Sequence, residues 1–288
     1  MSAARSYLYV PGDKPEVLAK ATGRGADALI IDLEDAVAPG AKDDAREVVR
    51  QFLGGLPPAG QGAVEIWVRV NGDGLAGHDI EAVASAAVTG FCLAKAESAD
   101  DVDAAAEACG RAEDRLGLEP GTFALAPLLE SASAVLDARA IASASPRVVR
   151  LQVGEADLQA EIGVSLGADE RELLLVRSSV VLASAAAGIE PPVGPVSTNF
   201  GDLDALREST EALARLGYRG RACIHPAQAA VVNEVFTPSE EQLAAARSLI
   251  ERYDAAIAAG DGVFTDGAGR MVDLAVIRQA RRTLALAR

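Results

Sequence analysis

The stretch Ala28-Leu-Ile-Ile-Asp-Leu-Glu-Asp35 decides the fold, because a continuous apolar run passes directly into a cluster of carboxylates. A strand with one exposed face alternates polar and apolar residues, whereas a continuous apolar run indicates a strand that is buried on both faces. Strands of that kind are typical of parallel sheets that helices cover on both sides. The carboxylates predict that polar groups gather where the strand leaves the sheet.

Seven other stretches repeat the pattern, so that the predicted strands are Ser6–Pro11, Ala28–Asp35, Glu65–Val70, Gly90–Ala96, Thr122–Glu130, Val148–Gly154, Pro192–Ser197 and Arg221–Pro226. Helix-like stretches lie between most of them, at Lys14–Arg24, Asp43–Phe52, Asp79–Val88, Ser98–Leu116, Ser131–Ala144, Arg171–Ala187 and Leu203–Leu216. Alternating strands and helices are typical of a parallel sheet with crossover helices. About eight strands in roughly 225 residues predict a (β/α)8 TIM barrel, since an open doubly wound sheet usually has fewer strands and a glycine-rich first turn.

The end of the chain departs from this rhythm. A helix over Glu240–Ala259 precedes a glycine-rich loop, Gly260–Gly269, and a final amphipathic helix, Leu274–Ala287. We therefore expect two parts: a TIM-barrel domain over residues 1–235 and a C-terminal helical extension over residues 236–288.

The charge balance excludes one class of partner. Lys and Arg number 27 against 42 Asp and Glu, a net charge of −15, which disfavours nucleic acid because phosphate binding needs clustered cations. The three cysteines are widely spaced and form no Cys-x-x-Cys pair, which indicates a reducing compartment. The amino terminus lacks a signal-peptide core, and no apolar run reaches roughly 18 residues. We expect a cytoplasmic protein without a membrane partner.

Polar residues close nearly every predicted strand. In a parallel barrel the active site lies at the carboxyl ends of the strands, so these side chains are the candidates for function. They are Asp32, Glu34, Asp35, Arg69, Lys95, Glu130, Glu155, Asp157 and His225. Carboxylate oxygens with open water positions suit Mg²⁺, or Mn²⁺, better than zinc. We assign Glu130 and Asp157 as the ligand pair, although a single strand-end carboxylate serves equally well as a helix cap or in an ion pair.

Three other side chains have competing interpretations. Lys95 could be the Schiff-base nucleophile of a class I aldolase, which requires a desolvated lysine, but nearby carboxylates would hold it protonated. His225 is as compatible with a packed, hydrogen-bonded imidazole as with a catalytic one. His78 precedes a helix and is expected to cap it at the surface.

Seven motifs in order carry a family resemblance: Arg5-Ser-Tyr-Leu-Tyr-Val-Pro-Gly12, Asp32-Leu-Glu-Asp-Ala-Val37, Arg69-Val-Asn71, Leu128-Leu-Glu130, Gly154-Glu-Ala-Asp-Leu158, Ile224-His-Pro226 and Met271-Val-Asp273. The chain resembles the citrate lyase beta-subunit-like proteins of the HpcH/HpaI aldolase superfamily, with malyl-CoA and citramalyl-CoA lyases as relatives. The resemblance runs from Arg5 nearly to the carboxyl terminus.

The resemblance implies a barrel lyase that cleaves or forms a β-hydroxyacyl-CoA, such as citryl-, malyl- or citramalyl-CoA, with acetyl-CoA and an oxo acid as the products of cleavage. Glu130 and Asp157 match the Mg²⁺ ligands. Arg69 matches the arginine that grips the oxo acid, and Asp273 matches an acid/base aspartate delivered to a neighbouring subunit. A homo-oligomer, a trimer or a hexamer, is the expected assembly.

One motif departs from the family pattern. These proteins usually place a glutamate immediately before the ligand aspartate, whereas here Ala156 separates Glu155 from Asp157, so the role of Glu155 is open. Glu34 and Asp35 match an acidic pair below the metal.

The contacts of CoA follow less directly from the sequence. Arginines make up 23 of the 27 basic residues, and their planar forks suit phosphate, so Arg5, Lys42 and Arg46 are candidates for the CoA phosphates. Two alternatives remain open: a metal-dependent aldolase or thioesterase on related oxo acids, or a beta subunit that works only in a citrate lyase-type complex with an acyl-carrier protein.

Overall fold

The computed structural model describes residues 4–258, 264–265 and 269–287. The strands are β1 (Ser6–Pro11), β2 (Ala28–Asp32), β3 (Glu65–Val70), β4 (Gly90–Leu93), β5 (Ala124–Leu129), β6 (Gln152–Val153), β7 (Arg221–Cys223), β8 (Phe264–Thr265) and β9 (Met271–Val272). The helices are α1 (Pro15–Ala21), α2 (Lys42–Gly54), α3 (Ala76–Val83), α4 (Ala99–Leu116), α5 (Ala132–Leu136), α6 (Ala138–Ser143), α7 (Glu155–Ile162), α8 (Leu174–Ala187), α9 (Leu203–Leu216), α10 (Pro226–Val235), α11 (Glu240–Ala258) and α12 (Leu274–Ala285).

Seven strands form one parallel sheet in the order β6-β5-β4-β3-β2-β1-β7. Two isolated parallel bridges continue it, from Gln152 to Val193 and from Gly194 to Arg221. The predicted α/β class with parallel strands is therefore confirmed, and the strands curl in a TIM-barrel-like arrangement. The predicted strand Pro192–Ser197 is reduced to these two bridges, since its prolines lack the N–H that a continuous ladder requires.

Local hydrogen bonds explain where other predicted boundaries fail. The predicted strand Ala28–Asp35 ends at Asp32, because the Asp32 carboxylate accepts hydrogen bonds from the amides of Glu34 (2.9 Å) and Ala36 (3.1 Å) and bends the chain into a turn. The predicted helix Ser131–Ala144 is divided into α5 and α6. Helices α7 and α10 were not predicted, since the motifs at their first turns were interpreted as strand ends.

The core of the sheet explains the position of the polar residues. Tyr7, Ile30 and Trp67 belong to one buried cluster in the interior of the curled sheet. Successive side chains of a strand point to opposite faces, so the residue two positions further on returns to the same face. Asp32 and Arg69 occupy those positions after Ile30 and Trp67, and they are direct partners in the register of β2 and β3. The interior therefore changes from apolar to charged toward the carboxyl ends of the strands.

The described chain divides into two compact units, residues 4–233 and the residues from Glu234 onward. In the second unit α11 packs against α12, and β8 pairs antiparallel with β9. The predicted loop Gly260–Gly269 lies mostly outside the described residues. Within the described ranges, no helix is both long and apolar enough to cross a lipid bilayer.

Gly90 allows the close packing of β4 against its neighbours, and it provides a test of this architecture. A Cβ at Gly90 would lie 2.7 Å from Cζ3 of Trp67 and closer still to the Ala124 carbonyl oxygen. We expect Gly90→Ala to lower the free energy of unfolding by about 3 kcal/mol, measured by chemical denaturation, because the buried backbone of β5 must shift. The control Gly54→Ala meets nothing within 4 Å and should raise it by about 0.5 kcal/mol. Equal effects of the two variants would contradict the packing.

Candidate active site

Arg69 is the central cation of the site. Its Nε and Nη2 donate to the two carboxylate oxygens of Asp32 at 2.7 and 2.6 Å, and its Nη1 lies 3.0 Å from Glu34. The guanidinium carbon lies 5.0 Å from the ring centre of Tyr9. Burial lowers the pKa of Arg69, but the hydrogen bonds with Asp32 and the negative charges of Asp32 and Glu34 together outweigh that effect and raise it above its ordinary value. Asp32 therefore occupies the Nε–Nη2 edge of the guanidinium, and Glu34 lies beside Nη1.

Lys95 completes a cluster of alternating charge with Glu34 and Asp35. Its ammonium donates to Glu34 at 2.5 Å and lies 3.9 Å from Asp35. Burial raises the pKa of Glu34, but the hydrogen bond from Lys95 and the charge of Arg69 outweigh it, so the pKa lies below its ordinary value. Burial, together with the charge of Glu34, raises the pKa of Asp35.

The geometry speaks against Lys95 as a Schiff-base nucleophile. The hydrogen bond with Glu34 raises the pKa of Lys95, which keeps the amine protonated, and a nucleophilic lysine needs the opposite shift. Lys95 also adopts a left-handed backbone conformation, with φ of 51°. Such strain in a non-glycine residue persists where the surroundings fix it, and here it aims the side chain at the acidic pair.

Glu130 is the least satisfied charge-bearing group of the site. The residue is only 5% exposed, and its Oε2 has no hydrogen-bond partner. Burial raises the pKa of Glu130 to about 8, with further contributions from the charges of Glu34 and Asp157. Gly154 forms the opposing wall, where a Cβ would lie 2.9 Å from Oε1 of Glu130 and overlap its Cγ. A buried carboxyl with an unpaired oxygen is costly, so this position suits a bound cation.

The first turn of α7 carries two carboxylates with different surroundings. Asp157 is exposed. Glu155 is buried and accepts two hydrogen bonds from Arg177, at 2.6 and 2.7 Å, while Arg177 also contacts Glu170 at 2.8 Å. Both oxygens of Glu155 are therefore engaged by α8, which answers the question that the sequence left open: Glu155 anchors α7, and Asp157 is the carboxylate that stays available.

A cavity of about 860 Å³ adjoins this cluster, although Glu34 and Lys95 do not line it. The side chains around it that bear on the chemistry are Tyr9, Asp32, Asp35, Arg69, Glu130, Gln152 and Asp157. Among the residues that the structure describes, no group of three or more His, Cys, Asp or Glu has an arrangement that could hold a metal ion. At most two carboxylates of the described chain would then hold a metal, and water and ligand oxygens would supply the remaining positions.

The three cations expected to contact CoA phosphates are engaged elsewhere, and none of them lines this cavity. Arg5 precedes β1, at the amino end of the sheet, and its Nε donates to Asp27 at 2.7 Å. Arg46 is buried in an ion pair with Asp79 at 2.6 Å. Lys42 donates to backbone carbonyls. The contacts with CoA phosphates were inferred from charge alone. The residues that bind these cations in the fold lie far from them in the sequence, so these pairings could not be predicted.

The remaining candidates, Asp273 and His225, have partners close to them in the sequence. Asp273 belongs to the second unit and caps α12, accepting from the amides of Ala275 (2.9 Å) and Val276 (3.1 Å). His225 accepts a hydrogen bond from the Ala227 amide and stacks on Phe200. The structure thus brings Asp35, Arg69, Glu130 and Asp157 to one cavity, with Glu34 in contact with Arg69, and Asp273 caps a helix.

Three residues of the site received no role from the sequence. Asp32 orients Arg69, Tyr9 lies beneath the guanidinium, and Gln152 donates to the Tyr9 hydroxyl at 3.0 Å. For Tyr9 and Asp32 the signal was the period of two along β1 and β2, which places each on the inner face two residues after the buried Tyr7 or Ile30. Gln152 had no such signal, because β6 has only two residues.

The HpcH/HpaI aldolase/citrate lyase family model matches residues 5–226. The L-malyl-CoA/beta-methylmalyl-CoA lyase of Cereibacter sphaeroides (strain ATCC 17029) is 33% identical over 304 residues, covering 96% of this chain and 92% of the relative. The (3S)-malyl-CoA thioesterase of Cereibacter sphaeroides (strain ATCC 17025) is 36% identical over 285 residues, with 98% and 94% covered.

A solved structure resembles the whole chain. CitE from Mycobacterium tuberculosis, in complex with magnesium, acetoacetate and coenzyme A, superimposes with a TM-score of 0.78 at 34% identity and covers 100% of this chain and 99% of that one. The match of the family model and the extent of these likenesses place the sequence unambiguously. The chain belongs to the HpcH/HpaI aldolase/citrate lyase family.

Proposed function

We propose that the protein is a Mg²⁺-dependent carbon–carbon lyase that cleaves, or forms, a β-hydroxyacyl-CoA, with acetyl-CoA and an oxo acid as the products of cleavage. The observation that carries the proposal is the buried Glu130 carboxyl, with one oxygen unpartnered, in the same cavity as Arg69. Malyl-CoA lyase among the relatives, and CitE with magnesium and coenzyme A among the solved structures, support the same activity.

The donor set fits magnesium. Glu130 and Asp157 offer hard oxygen donors, and Oε2 of Glu130 lacks a partner. Because Gly154 has no side chain, it makes room for the Glu130 side chain itself. Manganese prefers the same donors. When bound, the metal would polarise the hydroxyl and carboxylate oxygens of the substrate.

The chain's own residues would hold the oxo-acid half of the substrate. Asp32 occupies the Nε–Nη2 edge of Arg69, so a substrate carboxylate would meet the Nη1–Nη2 end, where Glu34 now lies 3.0 Å away. In cleavage a general base takes the proton of the substrate hydroxyl, and the oxygen forms the carbonyl of the oxo acid as the carbon–carbon bond breaks. The electron pair of that bond passes to the thioester as an enolate, which then takes a proton at carbon to give acetyl-CoA.

Asp273 is the proposed acid for that last proton, arriving from a neighbouring subunit. Its support is the match of Met271-Val-Asp273 to the family motif, and its capping contacts hold the carboxylate in one orientation. This proposal requires a homo-oligomer, a trimer or a hexamer. It also requires that residues 236–288 act as an extension of a barrel domain, residues 1–235, whose closure into a (β/α)8 barrel the bridges of Val193 and Gly194 support.

Mixing two inactive variants tests the shared site. Asp273→Asn chains and Glu130→Gln chains should each be inactive, and reassembly of mixed oligomers should restore lyase activity in sites built from one intact barrel and one intact extension. At equal mixing we expect roughly a quarter of the wild-type activity, because random assembly joins two intact parts at that frequency. Proven mixed oligomers without activity would place Asp273 in its own subunit or outside the reaction.

The products distinguish the lyase from a thioesterase, the second candidate, which the 36% identical relative favours. With malyl-, citramalyl- or citryl-CoA and Mg²⁺, we expect equal amounts of acetyl-CoA and oxo acid and no free hydroxy acid. Chelation with EDTA, or Glu130→Gln, should lower the rate more than about 100-fold, since the first removes the cation and the second removes a charged ligand. The exposed Glu81→Gln is the matched control and should retain full activity.

Three results would contradict the lyase. Free CoA and hydroxy acid in equal amounts, without oxo acid, would identify a thioesterase. Turnover only after addition of an acyl-carrier protein would identify a subunit of a larger complex. Full activity in EDTA would remove the metal from the mechanism.

A further inference from the structure

Lys42 contacts the backbone of the acidic turn that follows β2, residues 33–36. Its ammonium donates to the carbonyl oxygens of Leu33 and Glu34, each at 3.1 Å, and to the side-chain oxygen of Asn71. An ammonium has three donors, so all of them are used within the protein. Lys42 is half-buried in the first turn of α2, and its contacts join a helix of the outer layer to the loop that carries Glu34 and Asp35.

A buried polar chain holds the third acceptor in place. The Asn71 backbone and side-chain amides donate to Asp79 at 2.7 and 2.6 Å, and its side-chain amide also donates to Leu33 at 3.0 Å. Asp79 in turn accepts from Arg46 at 2.7 Å. Every member has a partner, and a fully satisfied buried network of this kind fixes a single arrangement.

The turn is thus held from two sides. Asp32 accepts from its amides, and Lys42 donates to its carbonyls. Between these anchors, the Glu34 side chain contacts both Arg69 and Lys95. A displacement of the turn would move Glu34, and with it the balance of contacts around the guanidinium that faces the cavity.

We propose that Lys42 is a positioning residue for the lyase reaction: its ammonium fixes the turn 33–36 and, through Glu34, orients Arg69 and Lys95 toward the substrate. Lys42 itself touches no ligand. This role differs from the contact with a CoA phosphate that the sequence suggested. The inference rests on the proposed function, because the kinetic test measures lyase activity.

The split between kcat and KM separates the possible roles. In Lys42→Met, we expect kcat to fall about ten- to hundredfold, with less than about a threefold change in KM for the thioester. A phosphate contact would instead raise KM and leave kcat unchanged. The matched control is Arg147→Met, which breaks a half-buried ion pair with Glu113 far from the turn in the fold and should lower stability without lowering kcat.

Chemical rescue tests the ammonium directly. The three native cysteines are buried, so a thiol introduced by Lys42→Cys can be alkylated selectively with 2-bromoethylamine, which restores an ammonium at nearly the original reach. We expect recovery of most of the lost kcat, and no recovery after alkylation with neutral iodoacetamide. Equal recovery with both reagents, or wild-type kcat in Lys42→Met, would overturn the inference.

A crystal structure of Lys42→Met tests the positioning role of Lys42 independently of the lyase activity. If wild-type protein cleaves none of the thioesters, the lyase proposal fails, and the position of the turn alone decides. The turn 33–36 should leave its place, with loss of the contact between Glu34 and Arg69. An unchanged turn would show that Lys42 does not position it. Should Lys42→Met fail to fold, the alkylated and unalkylated forms of Lys42→Cys provide the same comparison.

Discussion

The ion pair between Asp32 and Arg69 is the constraint on which the rest of the cavity depends. The two residues are partners in the register of neighbouring parallel strands, so their side chains leave the sheet on the same face at the same level. Both are shielded from solvent, and a buried charge is tolerated only when it is paired and hydrogen-bonded. The bidentate contact fixes the plane of the guanidinium, and the remaining charges arrange themselves around it.

Glu130 stands out against this background because the available cations are already committed. Arg69 serves Asp32 and Glu34, Lys95 serves Glu34, and Arg177 neutralises Glu155 on the other side. The pKa of Glu130 rises to about 8 because it is buried without such a partner. A protein that retains a buried carboxyl in this state loses stability, and function is the usual reason for it. A divalent cation would satisfy Glu130 without disturbing the other pairs.

The features that could be predicted from the sequence depend on neighbouring residues and on the hydrophobic periodicity of the strands and helices. The uninterrupted strands identified the α/β class, and their closing residues identified Glu130, Asp157 and Arg69 as neighbours in space. What failed depends on tertiary partners. The seventh predicted strand, Pro192–Ser197, contains two prolines, and these reduce its ladder to the isolated bridges of Val193 and Gly194. Arg46 and Lys42 appeared as free cations because Asp79 and Asn71, which hold them, lie on later elements.

The role of Glu155 likewise depends on a partner that lies far away in the sequence. Sequence spacing alone could not say which carboxylate of Glu155-Ala-Asp157 remains available, since the answer lies in Arg177, a residue of α8. Asp273 is the converse case, because a cap is a local feature. Its carboxylate accepts from the amides of Ala275 and Val276, which lie only two and three residues further along the chain.

Because the pKa of Glu130 is raised, protons and a metal ion compete for its carboxylate near neutral pH. The sign of the pKa shift determines how stability and metal affinity change with pH. In the folded, metal-free protein the carboxyl stays protonated up to a pH of about 8, whereas in the unfolded chain it ionises near its ordinary value of 4.5. Its burial therefore weakens the metal-free fold as the pH rises between these values, and the loss is complete above about 8. A metal binds only the carboxylate, so the affinity for Mg²⁺ should rise over the same range.

Counting the protons released on Mg²⁺ binding tests this most directly. Calorimetric titrations at pH 7, in buffers with different ionisation enthalpies, should give about 0.9 proton released per Mg²⁺, falling to nearly zero at pH 9.5, because a group with a pKa of about 8 is mostly protonated at the first pH and ionised at the second. Glu130→Gln should release none and bind more weakly. Equal Mg²⁺ affinity and equal proton release in wild type and Glu130→Gln would contradict the assignment of Glu130 as the carboxyl that holds the cation.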